Sequence, residues 1–197
     1  MTVVIDQVYT VILAAGQSTR LGQPKQLLEW QSRTLLAHAL INASRVFKDR
    51  VVVVLGAEAE LIQSTMNWLG ATVIVNPDWQ TGMASSIRAA IQALPDSATA
   101  VMLMLCDQPL ITDVQLQRLV GAWQASPEQI AASEYHQSIG VPAIFPASYF
   151  NQLLMLEGDK GAKSVLIKHQ TDLIRISLPE AELDIDTLAD FQHLHQY

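Results

Sequence analysis

The sequence predicts an α/β protein of three layers, an α/β/α sandwich in which helices cover both faces of a mostly parallel central sheet. Four apolar runs are continuous rather than alternating, as in strands that are buried on both faces. These runs cover residues 8–15, 50–55, 71–75 and 99–105. Helical patterns, with apolar residues every three or four positions, separate the runs. They cover residues 34–46, 57–68 and 82–94. Alternation of strand and helix is typical of βαβ units, whose strands lie parallel.

The alternation is less regular beyond residue 106. We expect strands over residues 129–134 and 172–177, and a stretch marked by Gly and Pro over residues 140–146. Helices are expected over residues 112–125, 147–155 and 160–169, and from about residue 187. A chain of 197 residues has the usual length of one compact domain. We therefore predict a single domain over residues 1–197.

Composition excludes several classes of protein. Half of the residues are hydrophobic and 16% are charged, which indicates a packed core rather than disorder. A net charge of −7 argues against a nucleic acid partner, because few cations are present to replace phosphate counterions. The first ten residues do not resemble a secretory signal, and no apolar run has the roughly 20 residues that cross a bilayer. With one cysteine, the chain has no intramolecular disulfide, and we expect a cytoplasmic protein that binds no membrane.

The loop behind the first strand has the composition of a phosphate site. Gly16 and Gly22 let the backbone approach an anion, and Arg20 and Lys25 supply positive charge. Five residues separate the two glycines and Pro24 precedes Lys25, so the loop is not a Walker loop, and the dinucleotide G-x-G-x-x-G pattern is also absent. The alternative is an ordinary turn between strand and helix with solvated charges.

The string L-A-A-G-x-S-x-R-x-G-x-P-K over residues 13–25 resembles the signature loop of nucleotidyltransferases that join an NTP to a phosphorylated acceptor. Over almost its whole length the chain is similar to the MobA-like NTP transferases, in the branch that contains molybdenum cofactor cytidylyltransferase. Further matching segments cover residues 76–79, 82–86, 107–109, 140–145, 158–162 and 184–187. The resemblance implies a Rossmann-like nucleotidyltransferase fold, with a nucleotide-binding part over about residues 8–110 and an acceptor-binding part over about residues 111–197.

The resemblance also implies a nucleotide site. Arg20, Lys25 and Asp107 are the expected catalytic residues, and the two cations would stabilise the charge on departing pyrophosphate. Backbone groups near the end of the first strand would meet the base on one side, and residues of the 82–86 segment would meet the base or ribose on the other. The full set of expected nucleotide-binding residues is Leu13, Ala14, Ala15, Gly16, Arg20, Lys25, Gly82, Ser86 and Asp107.

Nucleotidyl transfer needs a divalent ion on the phosphates, and Mg²⁺ prefers one or two carboxylates together with phosphate oxygens and water. We expect Asp107 and Asp186 to hold Mg²⁺, with Asp184 as the alternative to Asp186. Capping explains the same carboxylates without a metal. Asp107 precedes Pro109 in a turn, and the Asp-Thr-x-x-Asp pattern beginning at Asp186 is typical of a helix start. The five histidines have no metal-ligand spacing.

The resemblance places the acceptor on two later segments. Its expected binding residues are Gly140, Pro142, Gly158, Asp159, Lys160 and Gly161. The segment 158–162 is expected to open a helix whose free N–H groups, with Lys160, bind the terminal phosphate of molybdopterin. Pro142 and Phe145 would cover the pterin. A capped, solvent-facing helix is the alternative for the 158–162 segment, and Arg88 is expected on a solvated helix face.

The expected reaction transfers CMP from Mg-CTP to molybdenum-bearing molybdopterin, releasing pyrophosphate and supplying a molybdenum hydroxylase apoenzyme with cofactor. Ala15 favours cytidine, because guanylyl-transferring relatives tend to have a second Gly there. Three alternatives stay open at this point. The first is a transferase that uses another nucleotide, or a sugar or alcohol phosphate as acceptor. The second is a non-catalytic protein that escorts finished cofactor. The third is a nicotinamide-dependent oxidoreductase, although the glycine fingerprint of that class is missing.

Overall fold

A computed structural model of the chain describes residues 7–136 and 138–197. The expectations about residues 1–6 lie outside the described part. Nine strands are found among the described residues: β1 (Val8–Ala14), β2 (Glu29–Trp30), β3 (Arg33–Thr34), β4 (Val51–Leu55), β5 (Thr72–Val75), β6 (Ala100–Leu105), β7 (Ile130–Tyr135), β8 (Ser138–Pro146) and β9 (Leu173–Ser177). The helices are α1 (Leu35–Phe47), α2 (Ala59–Thr65), α3 (Met83–Ala93), α4 (Asp113–Trp123), α5 (Phe150–Leu154), α6 (Lys163–Lys168) and α7 (Leu188–Leu194).

In the described chain, seven strands form one sheet in the order β5-β4-β1-β6-β8-β7-β9, while β2 and β3 form a separate hairpin. The pairs β5-β4, β4-β1, β1-β6 and β7-β9 are parallel. Strand β8 runs antiparallel to both of its neighbours, β6 and β7. The predicted mostly parallel sheet with helices on both faces is confirmed.

The sheet is buried on both faces because its central strands carry apolar side chains at nearly every position, and the hydroxyl of the buried Thr10 in β1 donates to the Met102 carbonyl at 3.4 Å. Along β1, Ile12 packs into a cluster with Leu40 and Phe47 of α1. Val11 points to the opposite cluster, which includes Ile87 of α3. Continuous hydrophobicity, rather than alternation, is what a strand between two helical layers requires.

The sequence assigned neither helix nor strand to the stretch marked by Gly and Pro. The stretch 140–146 belongs to strand β8, although Pro is rare in a central strand because it donates no ladder hydrogen bond. Pro142 follows a cis peptide bond beside a register shift between β7 and β8, and its carbonyl accepts a hydrogen bond from the Ser133 hydroxyl at 2.7 Å. The irregular register thus accommodates a residue that cannot join a regular ladder.

The helix predicted over residues 160–169 begins only at Lys163. The preceding residues form a loop that packs against α3. The segment predicted as a helix over residues 147–155 is divided into a 3-10 turn at Ala147–Tyr149 and the short α5, and the helix predicted over residues 57–68 is reduced to α2. Within residues 7–136 and 138–197, no helix is both long enough and apolar enough to cross a membrane.

Candidate active site

The loops that follow β1 and β6 meet because these two strands are parallel neighbours. Leu13 pairs with Leu105 at their carboxyl ends, and the Cys106 N–H group donates to the Leu13 carbonyl at 3.4 Å. In open α/β sheets, ligands bind at such ends. A cavity of about 380 Å³ opens here between the two loops and the start of α3. Its volume is in the range of small-molecule sites.

The loop after β1 offers free backbone donors to this cavity. In the described chain, the N–H groups of Ala15, Gly16 and Gln17 have no hydrogen-bond partner, and all three residues line the cavity. The Ala15 carbonyl is held from the other side by the Ala57 N–H group at 3.0 Å. Unpaired backbone N–H groups in succession attract anions, so this loop has the geometry of a phosphate site.

Lys25 is the centre of an ionic cluster at the edge of the cavity. Its Nζ atom contacts Oδ2 of Asp107 and lies 2.9 Å from Oδ1 of Asp186. Arg20 Nη2 lies 2.9 Å from the other oxygen of Asp186. The Lys25 and Asp107 side chains are only 16% and 9% exposed, whereas Arg20 is 67% exposed, so the first pair is electrostatically the stronger one.

The charges in the cluster fix each other's protonation. Burial lowers the pKa of Lys25, but the Asp107 carboxylate and the hydrogen bonds to both aspartates outweigh it, and the net shift is upward. The hydrogen bond from Lys25 lowers the pKa of Asp186. The cavity therefore has a charged Lys25 beside the ionised carboxylate of Asp186. Burial raises the pKa of the neighbouring Cys106 thiol to about 12, so this side chain adds no charge.

Asp107 has one oxygen left for a ligand. Its Oδ2 contacts Lys25, while its Oδ1 is buried with no hydrogen-bond partner. A buried carboxylate oxygen without a partner is costly, and a cation satisfies it. Within the described residues, no group of three or more His, Cys, Asp or Glu side chains is arranged to hold a metal ion. A divalent ion at this place would therefore take part of its coordination from a phosphorylated ligand.

Asp186 does not cap the last helix, contrary to the alternative considered above. Thr187 and Asp190 form the capping box of α7, with the Asp190 N–H group donating to the Thr187 hydroxyl oxygen at 3.2 Å. Asp190 also accepts from the Asp186 N–H group at 3.2 Å. The Asp186 carboxylate is thereby left to Lys25 and Arg20.

Asp184 lies near the same cluster. Its surface is largely exposed, yet partial burial of the carboxyl group, followed by repulsion from Asp107, raises the pKa of Asp184 to about 7. Its protonation therefore changes near neutral pH. Asp186, in contrast, is ionised throughout the physiological range.

The opposite wall of the cavity is the start of α3. Asn76, buried after β5, donates through Nδ2 to the hydroxyl oxygens of Ser85 at 2.8 Å and Ser86 at 3.0 Å, and so orients the first turn of the helix. Gly82 has φ +107°, and a Cβ atom there would lie 2.4 Å from the carbonyl group of Gly158. The Gly158 oxygen instead accepts from the Ala84 N–H group at 3.1 Å. Only a glycine at position 82 permits this contact.

The structure brings the expected nucleotide-binding residues together. All of them except Arg20 line the cavity: Leu13, Ala14, Ala15, Gly16, Lys25, Gly82, Ser86 and Asp107. Arg20 lines a smaller adjoining pocket of about 170 Å³, which shares Gly16 and Lys25 with the cavity and includes Asp186. The two pockets therefore adjoin each other at Gly16 and Lys25.

The expected acceptor residues are more dispersed. Asp159 lines the cavity, and Gly161 packs against Met83, with its ideal Cβ position 2.7 Å from the sulfur. Lys160 faces a separate groove of about 250 Å³ between α5 and α6. Gly140 and Pro142 are buried in β8 and do not reach the cavity.

Two further expectations about this region are wrong. Phe145 is completely buried in the sheet core, so it cannot cover a pterin. The 158–162 segment leads into α6 but is not itself helical, because Ala162 is the N-cap and α6 begins at Lys163, and its Gly158 carbonyl is used to cap α3. Arg88 also differs from its predicted solvated position, because its guanidinium donates to the Leu156 carbonyl. Two polar contacts thus join α3 to the segment around residues 156–158.

Gln26 and Gln80 also line the cavity, although the sequence did not point to them, and so do Trp79 and Met83, which lie in the matching segments 76–79 and 82–86. Gln26 directly follows Lys25, yet a polar residue after a basic one carries no signal of burial. Trp79 and Gln80 follow the Asn-Pro-Asp turn that was noticed only as a motif. Their place at a strand end was the available signal.

Comparison with known proteins agrees with this geometry. Residues 10–173 match the MobA-like NTP transferase domain. The chain is 30% identical over 195 residues to nicotine blue oxidoreductase of Paenarthrobacter nicotinovorans, covering 93% of this chain and 94% of that protein. It is 28% identical over 182 residues to molybdenum cofactor cytidylyltransferase of Escherichia coli K12, covering 92% of each.

Among solved structures, Rv0371c of Mycobacterium tuberculosis H37Rv superimposes with a TM-score of 0.87 at 32% identity, covering 97% of this chain and 98% of that one. A structure of the same protein in complex with manganese gives a TM-score of 0.82 at 30% identity, covering 96% and 98%. The fold and the site thus define a nucleotidyltransferase. The chain belongs to the MobA-like NTP transferase domain family.

Proposed function

We propose that this protein transfers CMP from Mg-CTP to the terminal phosphate of molybdenum-bearing molybdopterin, giving molybdopterin cytosine dinucleotide and pyrophosphate. The observation that carries the proposal is the position of Lys25, which contacts Asp107 and Asp186 at the mouth of a cavity lined by free backbone N–H groups. Similarity over 92% of the chain to the Escherichia coli molybdenum cofactor cytidylyltransferase supports the choice of nucleotide and acceptor.

In this proposal the loop after β1 binds the triphosphate. The N–H groups of residues 15–17 donate to phosphate oxygens, and Lys25 and Arg20 neutralise the charge that develops as pyrophosphate leaves. The base lies between the end of β1 and the α3 wall formed by Gly82 and Ser86. Donors fixed in advance by the fold favour the transition state because they need no reorganisation during the reaction.

We assign Mg²⁺ to Asp107 and Asp186. The unpartnered Oδ1 of Asp107 fits a cation, and the manganese complex of Rv0371c, a related protein, supports a divalent ion in this family. Bound there, the ion would neutralise phosphate oxygens and hold the triphosphate in line with the acceptor. Asp186 reaches the ion from the loop that precedes α7, while remaining close to Lys25.

The acceptor phosphate is the nucleophile. One of its oxygens forms a bond to the α-phosphorus of CTP as the bond from that phosphorus to the oxygen bridging the α- and β-phosphates breaks, and the departing pyrophosphate keeps that oxygen and the electron pair. No protein nucleophile is required. The acceptor would bind at the 158–162 loop, a choice supported by Asp159, which lines the cavity, and by Gly158, whose carbonyl accepts from α3. The product would serve a molybdenum hydroxylase apoenzyme.

The test measures pyrophosphate release from CTP, GTP, ATP and UTP, each with molybdenum-bearing molybdopterin and Mg²⁺, in the wild type and in Asp107→Asn. The proposal expects release with CTP that needs the acceptor and is lost in the variant. Release with GTP alone would refute the cytidylyl assignment. Release with a sugar or alcohol phosphate in place of molybdopterin would refute the acceptor. If the wild type and Asp107→Asn both deliver finished cofactor to an apoenzyme but neither releases pyrophosphate, the escort alternative is supported.

A second candidate rests on one observation, namely that a relative 30% identical over most of the chain is named nicotine blue oxidoreductase. This name favours oxidoreductase chemistry, and the candidate is the nicotinamide-dependent oxidoreductase considered among the alternatives above. The chain lacks the G-x-G-x-x-G pattern for a dinucleotide, which disfavours this candidate. Oxidation of NADH or NADPH in the presence of nicotine blue, independent of Lys25 and Asp107, would favour it over nucleotidyl transfer.

A further inference from the structure

Gln26 is a buried polar residue that the nucleotide chemistry described above does not use. It is 1% exposed, directly follows Lys25 and lines the main cavity. Its Nε2 atom donates to two carbonyls of the loop after β1, that of Ala14 at 2.7 Å and that of Gly16 at 2.9 Å. Both hydrogens of the carboxamide are thereby used in one short segment of backbone.

The orientation of this carboxamide is determined by its partners. With Nε2 on the two carbonyls, Oε1 is buried and has no hydrogen-bond partner in the described chain. The reversed orientation would place Oε1 against two carbonyl oxygens and leave no donor for either. A buried acceptor without a partner costs free energy. The fold nevertheless retains this arrangement, which indicates that the two hydrogen bonds donated by Gln26 outweigh the cost of its unpartnered Oε1.

With these two hydrogen bonds, three successive carbonyl groups of the loop after β1 are held on its protein side. The carbonyls of Ala14 and Gly16 are held by Gln26, and that of Ala15 is held by Ala57. The three carbonyls are therefore occupied on the protein side, while the N–H groups of residues 15–17 are unpaired. A peptide group whose oxygen is fixed on one side presents its N–H on the other, because the peptide plane is rigid.

We propose that Gln26 is a positioning residue that holds this loop in its anion-binding conformation. The inference rests on the proposed function, because the ligand it prepares for is the polyphosphate of the nucleotide. Gln26 acts through the backbone and does not touch the ligand. It therefore sets the affinity for triphosphate and pyrophosphate whatever the base, while selection of the base is left to the α3 wall.

The test compares Gln26→Glu with Gln26→Met. An ionised Glu would oppose two carbonyl oxygens with a carboxylate, and we expect binding of Mg-pyrophosphate to weaken about tenfold or more at about pH 8. Burial raises the pKa of such a carboxyl, and its protonated form has one hydrogen to donate. Binding by Gln26→Glu, relative to wild type, should therefore recover several-fold at about pH 5.5. Gln26→Met, of similar shape but with no donor and no charge, should bind weakly at both pH values.

Equal affinity for Mg-pyrophosphate in the wild type and both variants would overturn the inference. So would weak binding by Gln26→Glu that does not recover at low pH relative to wild type, because that result indicates a packing defect. Pyrophosphate binding in the wild type without cytidylyl transfer would refute the proposed function and leave the role of Gln26 supported. A wild type that binds no pyrophosphate would refute both.

One measurement needs no variant, should the substitutions prevent folding. The side-chain Nε2 hydrogens of Gln26 should exchange with solvent far more slowly than those of an exposed glutamine such as Gln80, because both are buried in hydrogen bonds. Backbone amide resonances of residues 15–17 should shift on addition of Mg-pyrophosphate. Fast exchange at Gln26, or unshifted loop amides, would overturn the inference.

Discussion

Lys25 and Asp186 are 161 positions apart in the chain, and their side chains meet at 2.9 Å. The loop after the first strand is thereby tied to the segment that precedes the last helix. Asp107 contacts the same amino group from the end of β6. Three distant parts of the sequence thus converge on one nitrogen atom, and this convergence makes the contribution of each residue measurable.

Lys25→Met should cost both stability and activity. The variant leaves the buried Asp107 carboxylate with no counter-charge, which is expected to lower the free energy of unfolding by about 3 kcal/mol. Nucleotidyl transfer should fall at least about a hundredfold. Denaturant unfolding and turnover measure the two effects. The double variant Lys25→Met/Asp107→Asn should regain most of the stability and none of the activity. A single variant as stable as wild type would contradict the pairing.

Arg20→Ala should separate activity from stability. Its side chain is 67% exposed, so loss of the pair with Asp186 should change the free energy of unfolding by less than about 1 kcal/mol. The rate of transfer should nevertheless fall, because a cation next to the phosphates is removed. Arg45 is the matched control, since it is 57% exposed, pairs with Asp113 at 3.2 Å and lies outside the cavity. Equal activity of Arg20→Ala and Arg45→Ala would show that Arg20 does not contribute to the site.

Gly82→Ala should disrupt the contact between the start of α3 and the 158–162 loop, which is proposed to bind the acceptor. The added methyl group would overlap the Gly158 backbone, and the φ of +107° is unfavourable for alanine, so we expect a loss of about 1–3 kcal/mol. Weaker nucleotide binding should accompany it. Gly121 is the control, because it lies in the exposed face of α4 with nothing within 4 Å of its ideal Cβ position. Gly121→Ala should stabilise the protein by about 1 kcal/mol. Similar melting temperatures for the two variants would contradict the prediction.

Asp184 should make stability depend on pH near neutrality. Its pKa is raised from 3.8 to about 7, so the folded protein binds a proton more tightly than the unfolded chain. The stabilisation that the protonated Asp184 carboxyl group contributes is fully present below about pH 4. It is lost as the pH rises through about 7. Urea unfolding at a series of pH values should show this decline, and Asp184→Asn should flatten it. The lowered pKa of Asp186 acts in the opposite sense and only at acidic pH. A wild-type profile as flat as that of the variant would refute the assignment.

The sequence was sufficient for the parts of the molecule that follow from local pattern. Continuous apolar runs predicted β1, β4, β5 and β6, and the resemblance to nucleotidyltransferases predicted that Lys25 and Asp107 share one site. The match to a family motif predicted Gly82 and Ser86, which line the cavity. These features depend on residues that are close in sequence or on simple topology.

The remaining features depend on contacts between distant segments. Strand β8 contains Gly140 and Pro142, which locally favour a turn, and only pairing with β6 and β7 makes the segment a strand. Gln26 could have been an exposed residue, since nothing in the sequence indicates that its side chain folds back onto the loop. The 158–162 segment begins with helix-starting composition, but its Gly158 carbonyl is committed to α3.

The bond between the Gly158 carbonyl and the Ala84 N–H group has an evolutionary consequence. The Gly158 oxygen lies in the 158–162 loop. Its hydrogen bond also fixes the start of α3, against which the nucleotide is expected to rest. An insertion or deletion between α5 and α6 would withdraw that oxygen from α3 unless a substitute arose in the same step. A change in the length of this loop would therefore require a compensating change at the start of α3.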